Sequence, residues 1–326
     1  MAAIEPFSDE QARALINLEQ RYGVWVEAER ELSTMPYDLR RKEVGGRAYL
    51  YEIRDRSGNG TSLGPWSPEQ QERFDAYHAR KKDLKLRRDG SRPQMEEAGK
   101  IARALRVPML SSEAGEILRE ADKRGLLGAM VLVVGTNAMP AYAIEAGGFI
   151  RAAPDETQDF DLTWSATDVA EGQPLWSMLK AVDPTYTVNF ERSFQARNSK
   201  AYEVEVLCAP SRAATMSRQD NPRPFPLPEQ EWLLKGRPVD RVVVCRDGSP
   251  ARVVAPDPRW FALQKLWMGQ QAKRNALKRP KDLKQGAALL DAVKQEMPQF
   301  PLDAAFEAEI PDELRPGYAN WKNGEA

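Results

Sequence analysis
One stretch constrains the fold of this chain more than any other: the apolar run LLGAMVLVVG at 126–135. A run of that length without alternation reads as a strand covered on both faces, which needs other layers packed against it. It ends at Gly135. The following TNAMPAYAIEAGG has small residues and helical character, and stops at Gly147 and Gly148. Strand, glycine bend and helix in that order make the middle of the chain α/β.

Further strands are expected at 159–164 (DFDLTW), 186–191, 202–208 (YEVEVLC) and 240–245 (DRVVVC). Between the last two, NPRPFPLPEQ carries four prolines in ten residues and reads as an extended surface loop. Helical spacing covers 8–33, 67–88, 94–106 and 111–124, with Ser8 and Ser67 as N-caps and Pro68 at a first helical position. Tyr49, Tyr51 and Ile53 alternate ahead of a Gly/Asn turn, the pattern of a β-hairpin. From Pro258 onward the pattern is helical again. At 326 residues the chain is too long for one compact core. Three units are expected: 1–125, mainly helical with a β-hairpin; 126–255, mixed α/β; and 256–326, helical.

Composition excludes several chemistries. The lone histidine, His78, rules out a histidine-rich metal cage, and its setting FDAYHARKK reads as a helix surface. Cys208 and Cys245 stand 37 residues apart without a CxxC pair, so zinc fingers and disulfide scaffolds fall away and a reducing cytoplasm is the expected location. No apolar run is long enough to cross a membrane, and the start MAAIEPFSDEQ lacks the regions of a secretory signal. Forty-seven Lys and Arg balance 48 Asp and Glu. With no global basic field or strong basic groove in view, a protein or small-molecule partner is favoured over a long nucleic acid. The stretch 80–92 holds seven basic residues against Asp83 and Asp89, and reads as a solvated helix end and linker. What remains for catalysis is carboxylates, Lys, Arg and backbone N–H groups, a vocabulary suited to Mg²⁺ and phosphate.

The middle segment concentrates that vocabulary. At Gly135-Thr136 a buried strand turns into a helix, where free N–H groups and the Thr136 hydroxyl can meet a phosphate. On the next strand Asp159 and Asp161 share a face, with Phe160 turned to the core. Like charges at that spacing repel, and a hard divalent cation between them relieves the repulsion. On a later strand Glu203 and Glu205 alternate with apolar residues, and one of them completes a three-acid group if the two strands are neighbours. Each feature alone also has a plain reading as turn geometry or a half-exposed strand.

Taken in order, these residues resemble the minimal nucleotidyltransferases of the polymerase-β-like superfamily, whose pattern is a Gly-[Gly/Ser] turn, a D-x-D pair and a later acid. Longer phrases resemble a bacterial branch of nucleotidyltransferase-fold proteins: VVGTNAMPAYAIEAGG, TQDFDLTW, ARNSKAYEVEVLCAP, APDPRWFALQKLW and KRPKDLKQGAALL, over roughly residues 45–315. The resemblance implies a polymerase-β-like α/β core with a mixed sheet, flanked by an N-terminal mainly helical region and a C-terminal helical domain. It implies Mg²⁺ or Mn²⁺ on Asp159, Asp161 and Glu205, and an NTP, ATP included, as substrate. The NTP would lie against Gly135, Thr136 and Asn137, with Lys265, Arg197 and Asn198 as further contacts. The acceptor is expected to be a protein or small molecule, with tRNA left open. Thr136 stands where Ser is common, Glu205 where Asp is commoner, and Gln264 precedes Lys265 in place of His. Those departures and the basic stretches keep in play a weak or inactive nucleotide- or RNA-binding module, and the open acceptor keeps in play a toxin-type enzyme modifying tRNA or protein. The basic run 273–284 (Lys273, Arg274, Lys278, Arg279, Lys281, Lys284) reads as a mostly solvated face.

Overall fold
The computed structural model describes residues 4–151 and 159–324. Thr157 and Gln158 of the TQDFDLTW phrase lie outside the described residues. The chain forms two compact units, residues 1–19 with 96–326, and residues 20–95. This differs from the expected division at 125 and 255. The reason is packing: the C-terminal helices share one hydrophobic core with the sheet, so that Phe261, Leu263, Leu289 and Leu290 belong to the same cluster as Val133, Phe160 and Val204. Burying each such side chain stabilises the fold by roughly 1.5–3 kcal/mol, which makes one shared core more favourable than two small ones.

In the larger unit the central sheet is mixed. Val131–Val133 runs antiparallel to Asp159–Trp164. Asp159–Trp164 runs parallel to Glu203–Cys208, which is antiparallel to Gln195–Arg197. Thr187–Val188 extends the sheet, shorter than the expected 186–191 because the Asn189 side chain accepts from the Glu191 and Arg192 N–H groups and turns the chain. The apolar run yields only a three-residue strand, because Gly128 in the left-handed region (φ 80°) bends the segment before it. Part of the proline-rich loop, Phe225–Pro226, pairs with Glu203–Cys208. A second sheet, Pro250–Ala255, Val239–Cys245 and Met109–Leu110, and the pair Ile4–Pro6 with Gly148–Ile150 complete the strands of this unit among the described residues. Helix Ser112–Lys123 is capped by Ser111, whose hydroxyl accepts from the Ala114 N–H at 3.1 Å. Helix Pro258–Gln270 is capped by Asp257, with Pro258 at its first position. It packs against Arg279–Glu296, and Ala304–Glu309 and Arg315–Lys322 come after.

The smaller unit contains a three-stranded antiparallel sheet, Asp38–Val44, Arg47–Ile53 and Gly60–Pro65. The first of these strands, DLRRKEV, is too charged to show an apolar alternation and is not expected from the sequence. Gly45 and Gly46, both at positive φ, close its two-residue hairpin with Arg47–Ile53. A small core forms around Leu39, Leu50 and Tyr77. The expected linker at 80–92 is instead the interior of one helix, Pro68–Ala104, which continues through Pro93. Proline there removes one donor to the Asp89 carbonyl without ending the helix. His78 is half-buried rather than a surface side chain: its Nε2 lies 3.1 Å from the Leu39 carbonyl, and its ring packs on Phe74 and Tyr77.

Candidate active site
Strand alternation does the first work in building the site. Phe160, Leu162, Val204, Val206 and Cys208 are buried, which turns Asp159, Asp161, Glu203 and Glu205 to the other face. The register then sets the acids side by side: Glu203 opposite Asp159, and Glu205 opposite Asp161. Neighbouring strands lie about 4.8 Å apart, so four carboxyl groups share one small patch.

Gly135 closes one side of that patch. It sits at φ 66°, and a Cβ placed on it would fall 2.1 Å from Asp161 Oδ2. The bend is therefore glycine because the Asp161 carboxylate lies against its Cα. The Val134 N–H donates to the Asp161 carbonyl at 3.0 Å and ties the bend to the strand. From the bend a 3₁₀ turn, Gly135–Ala138, leads into the seven-residue helix Met139–Glu145, in place of the single helix expected from the sequence. Thr136 and Asn137 are buried in this turn. The Thr136 hydroxyl accepts from Gln285 Nε2 at 3.3 Å, and Asn137 Nδ2 donates to the Asp159 carbonyl at 2.9 Å. Both side chains brace the strand and the Gly135 bend.

Charge is poorly compensated in the middle of the patch. Burial lifts the Asp161 carboxyl to about 6, with Glu205 and Asp159 adding repulsion and Lys265 and Lys278 opposing it. Burial likewise raises Glu205, helped by Asp159 and opposed by Lys278 and by the hydrogen bond from Gln195. Lys278 Nζ lies 3.5 Å from Asp159 Oδ2. Lys265 is buried, with its ammonium 2.9 Å from Asp282 Oδ1, and Arg274 donates to the other oxygen of Asp282 at 2.8 Å. Lys265 is thus an interior counter-charge rather than the open NTP contact that the resemblance implies.

Two residues named from the sequence sit at the edge. Arg197 pairs with Glu203, on the strand next to it. Asn198 accepts from the Lys200 and Tyr202 N–H groups, both at 3.0 Å, and so shapes the turn between the two strands, away from the acids. Gln195 escaped sequence reasoning. It is buried, and its Nε2 donates to Glu203 at 2.8 Å and to Glu205 at 3.0 Å, while its Oε1 accepts from Asn189 at 2.6 Å. Only its register, which sets Gln195 opposite Glu205, marks it out, and no signal in the sequence carries that register. Beside Glu205 opens a cavity of about 530 Å³, lined by Phe194, Phe225 and Trp267 on its apolar side and by Lys273 and Arg274 on its cationic side.

The carboxylates are hard oxygen donors on one face, and the high Asp161 carboxyl would be relieved by a cation, so in kind they suit Mg²⁺. Among the described residues, no three His, Cys, Asp or Glu side chains are already gathered closely enough to hold a metal ion. Lys278 on Asp159 and Gln195 on Glu205 occupy those oxygens instead.

A family model described as "Nucleotidyltransferase" matches residues 112–311, a span that contains every acid of this patch. No curated protein matches the chain. Among solved structures, the chain is similar to an antigenic nucleotidyltransferase-like protein from Paracoccidioides brasiliensis, at 16% identity and a TM-score of 0.37, over 66% of this chain and 90% of that one. By the family match, which covers more than half of its length, the chain belongs to the nucleotidyltransferase family.

Proposed function
We propose that the protein is a magnesium-dependent nucleotidyltransferase that moves a nucleoside monophosphate from an NTP, ATP among them, to an acceptor hydroxyl. The observation that carries this function is the in-register ladder of Asp159, Asp161, Glu203 and Glu205 beside the Gly135 bend. Asp159, Asp161 and Glu205 would hold Mg²⁺ or Mn²⁺, which when bound neutralises phosphate charge and sharpens the acceptor as a nucleophile.

The chain's own residues do the rest. The Phe194, Phe225 and Trp267 side of the cavity takes the base, and Lys273, Arg274 and Lys278 counter the charge of the triphosphate. Lys265 acts on the phosphates through the field it shares with Asp282. Gly135, Thr136 and Asn137 keep the Asp161 strand in place, and Arg197 and Asn198 fix the neighbouring edge of the sheet. The acceptor oxygen bonds to the α-phosphorus, the bond from that phosphorus to the bridging oxygen breaks, and pyrophosphate leaves. Glu205, whose carboxyl burial and Asp159 hold above the usual carboxylate range, takes the acceptor proton. The free, buried Cys208 and Cys245 fit a reducing cytoplasm, and no helix among the described residues is long and apolar enough to cross a membrane.

Incubating the protein with each α-labelled NTP and MgCl₂ tests the proposal. Pyrophosphate release or label transfer that vanishes in Asp161→Asn supports it. Release that persists in that variant would place the chemistry elsewhere. A second function, nucleotide binding without turnover, is favoured by the Lys278 contact on Asp159 and the absence of a closed acid group among the described residues. It requires NTP binding by calorimetry that is indifferent to Mg²⁺ and accompanied by no pyrophosphate.

A further inference from the structure
The smaller unit carries a charge that the whole-chain balance hides. Residues 20–95 hold 16 Lys and Arg against 12 Asp and Glu, a formal +4, while the rest of the chain is −5. Much of that charge faces one cleft of about 1060 Å³, between the turn after strand Arg47–Ile53 and the middle of helix Pro68–Ala104. Arg54 and Arg56 come from the turn. Lys82 and Lys85 come from the helix, three residues apart and therefore on one face. All four are exposed and none makes an ion pair within 4 Å among the described residues, with Lys85 also acting on Asp89 through space. The acids that line the cleft, Asp38 and Asp89, are already matched by Arg40 at 2.7 Å and Arg88 at 2.8 Å. Lys81 belongs to the framework: it donates to the Pro36 and Tyr37 carbonyls and to the Tyr77 hydroxyl. Tyr37, which also lines the cleft, is 45% exposed, and the Lys81 ammonium lies 5.8 Å from its ring centroid.

Cations drawn from two separated segments onto the walls of a concave surface focus a positive field that neither segment makes alone. The cleft is slightly larger than the roughly 300–1,000 Å³ of small-ligand pockets and is open, so it suits an extended polyanion better than one compact anion. An exposed tyrosine at the rim adds a face on which a base can stack. We propose that this cleft binds single-stranded nucleic acid, with Arg54, Arg56, Lys82 and Lys85 on successive phosphates and Tyr37 against a base. The site is separate from the carboxylate patch and does not depend on catalysis there. It also removes the ground on which a nucleic-acid partner is disfavoured from the sequence, the lack of a basic groove.

Fluorescence anisotropy of the full chain with a labelled 12-nucleotide single-stranded RNA, and in parallel the DNA of the same sequence, tests the proposal. Four phosphate contacts predict a log–log salt slope of about −3, so affinity falls about 50-fold from 50 to 200 mM salt. Lys82→Glu with Lys85→Glu should weaken binding at least ~10-fold and make the slope shallower by about 1.4. Arg54→Gln with Arg56→Gln should act in the same direction, and Tyr37→Ala should cost about tenfold with the slope unchanged. Arg218→Gln with Lys322→Gln, on the larger unit, should change affinity less than twofold. Thermal melts establish that each variant folds. Preference for RNA, or equal binding of RNA and DNA, both support the cleft as a nucleic-acid site. Affinity unchanged in both cleft double variants would overturn it. So would competition by phosphatidylserine vesicles or polyglutamate as effective as that by the oligonucleotide, or tighter binding of the duplex than of the single strand.

Discussion

The carboxylate patch on Asp159–Trp164 and Glu203–Cys208 and the cationic cleft of residues 20–95 are both gatherings of like charge, built under opposite physical conditions. The patch crowds acids onto neighbouring strands, half-buried and against the Gly135 bend, where repulsion is barely screened and burial, with Glu205 and Asp159 adding to it, lifts Asp161 to about 6. The cleft spreads its cations on exposed side chains with water on every side, where each stays charged at little cost. The folded protein therefore bears a standing penalty in the first region and almost none in the second. On the functions proposed above, the first would be relieved by something small and strongly charged among the oxygens, and the second would be occupied by something long that lies across it.

The sharpest way to break this contrast is Asp161→Asn. Transfer should fall on the order of 10³-fold, because a group that meets developing charge is lost. Stability should rise at the same time. With the folded carboxyl at about 6 and the unfolded one near 3.8, the native state binds more protons between pH 4 and 6, so the wild type loses stability as pH rises through that window. Removing the group restores at most about 3 kcal/mol above pH 6 and nothing below pH 4, as thermal melts across pH will show. A variant that is less stable at pH 7 would mean that Asp161 is already compensated.

Gly135→Ala comes next. A methyl group 2.1 Å from Asp161 Oδ2, on a residue at φ 66°, should displace that carboxylate. We expect roughly 100-fold lower transfer and a stability loss of about 1–2 kcal/mol, measured by initial rates and denaturant midpoints. Gln195→Leu should cost about 10–100-fold in transfer with a raised Mg²⁺ requirement, since a group that orients two acids is removed while the acids remain. If only thermal stability moves, Gln195 is a packing residue. The smallest effect is expected in the other region: Lys82→Gln with Lys85→Gln should shift unfolding by no more than about 0.5 kcal/mol per residue, because exposed charges without partners contribute little to the folded state. A larger gain there would show that the cleft, too, is strained.

How much of each region is legible in advance depends on distances along the chain. Asp159 and Asp161 are two residues apart, as are Glu203 and Glu205, and the period of two in a strand is enough to put each pair on one face. The neighbouring placement of the two strands is only a condition at that level. Gln195 is invisible because a glutamine in a short strand looks like any polar residue until its register with Glu205 is known. The resemblance offers Lys265 as an NTP contact but cannot tell which face of its helix a later helix will cover, and Asp282 on Arg279–Glu296 covers this one. The linker expected at 80–92 from its run of basic residues fails because solvated charges do not end a helix, and this one runs on through Pro93 to Ala104.

What the sequence determined by itself was everything set by short range: the apolar run and its glycine bend, the alternation that turns the acids outward from the core, the caps at Ser8 and Ser67, and the shortage of histidine and cysteine that leaves carboxylates for the chemistry. Tertiary structure alone decided which strands became neighbours, which lysine was buried and on what, where the core was shared, and that Arg54 and Arg56 face Lys82 and Lys85 across one cleft. The physical reason is that side-chain direction follows from the backbone period over a few residues. Charge fields and cores, in contrast, sum over space, and residues about 30 positions apart contribute to the same field only once the chain has folded.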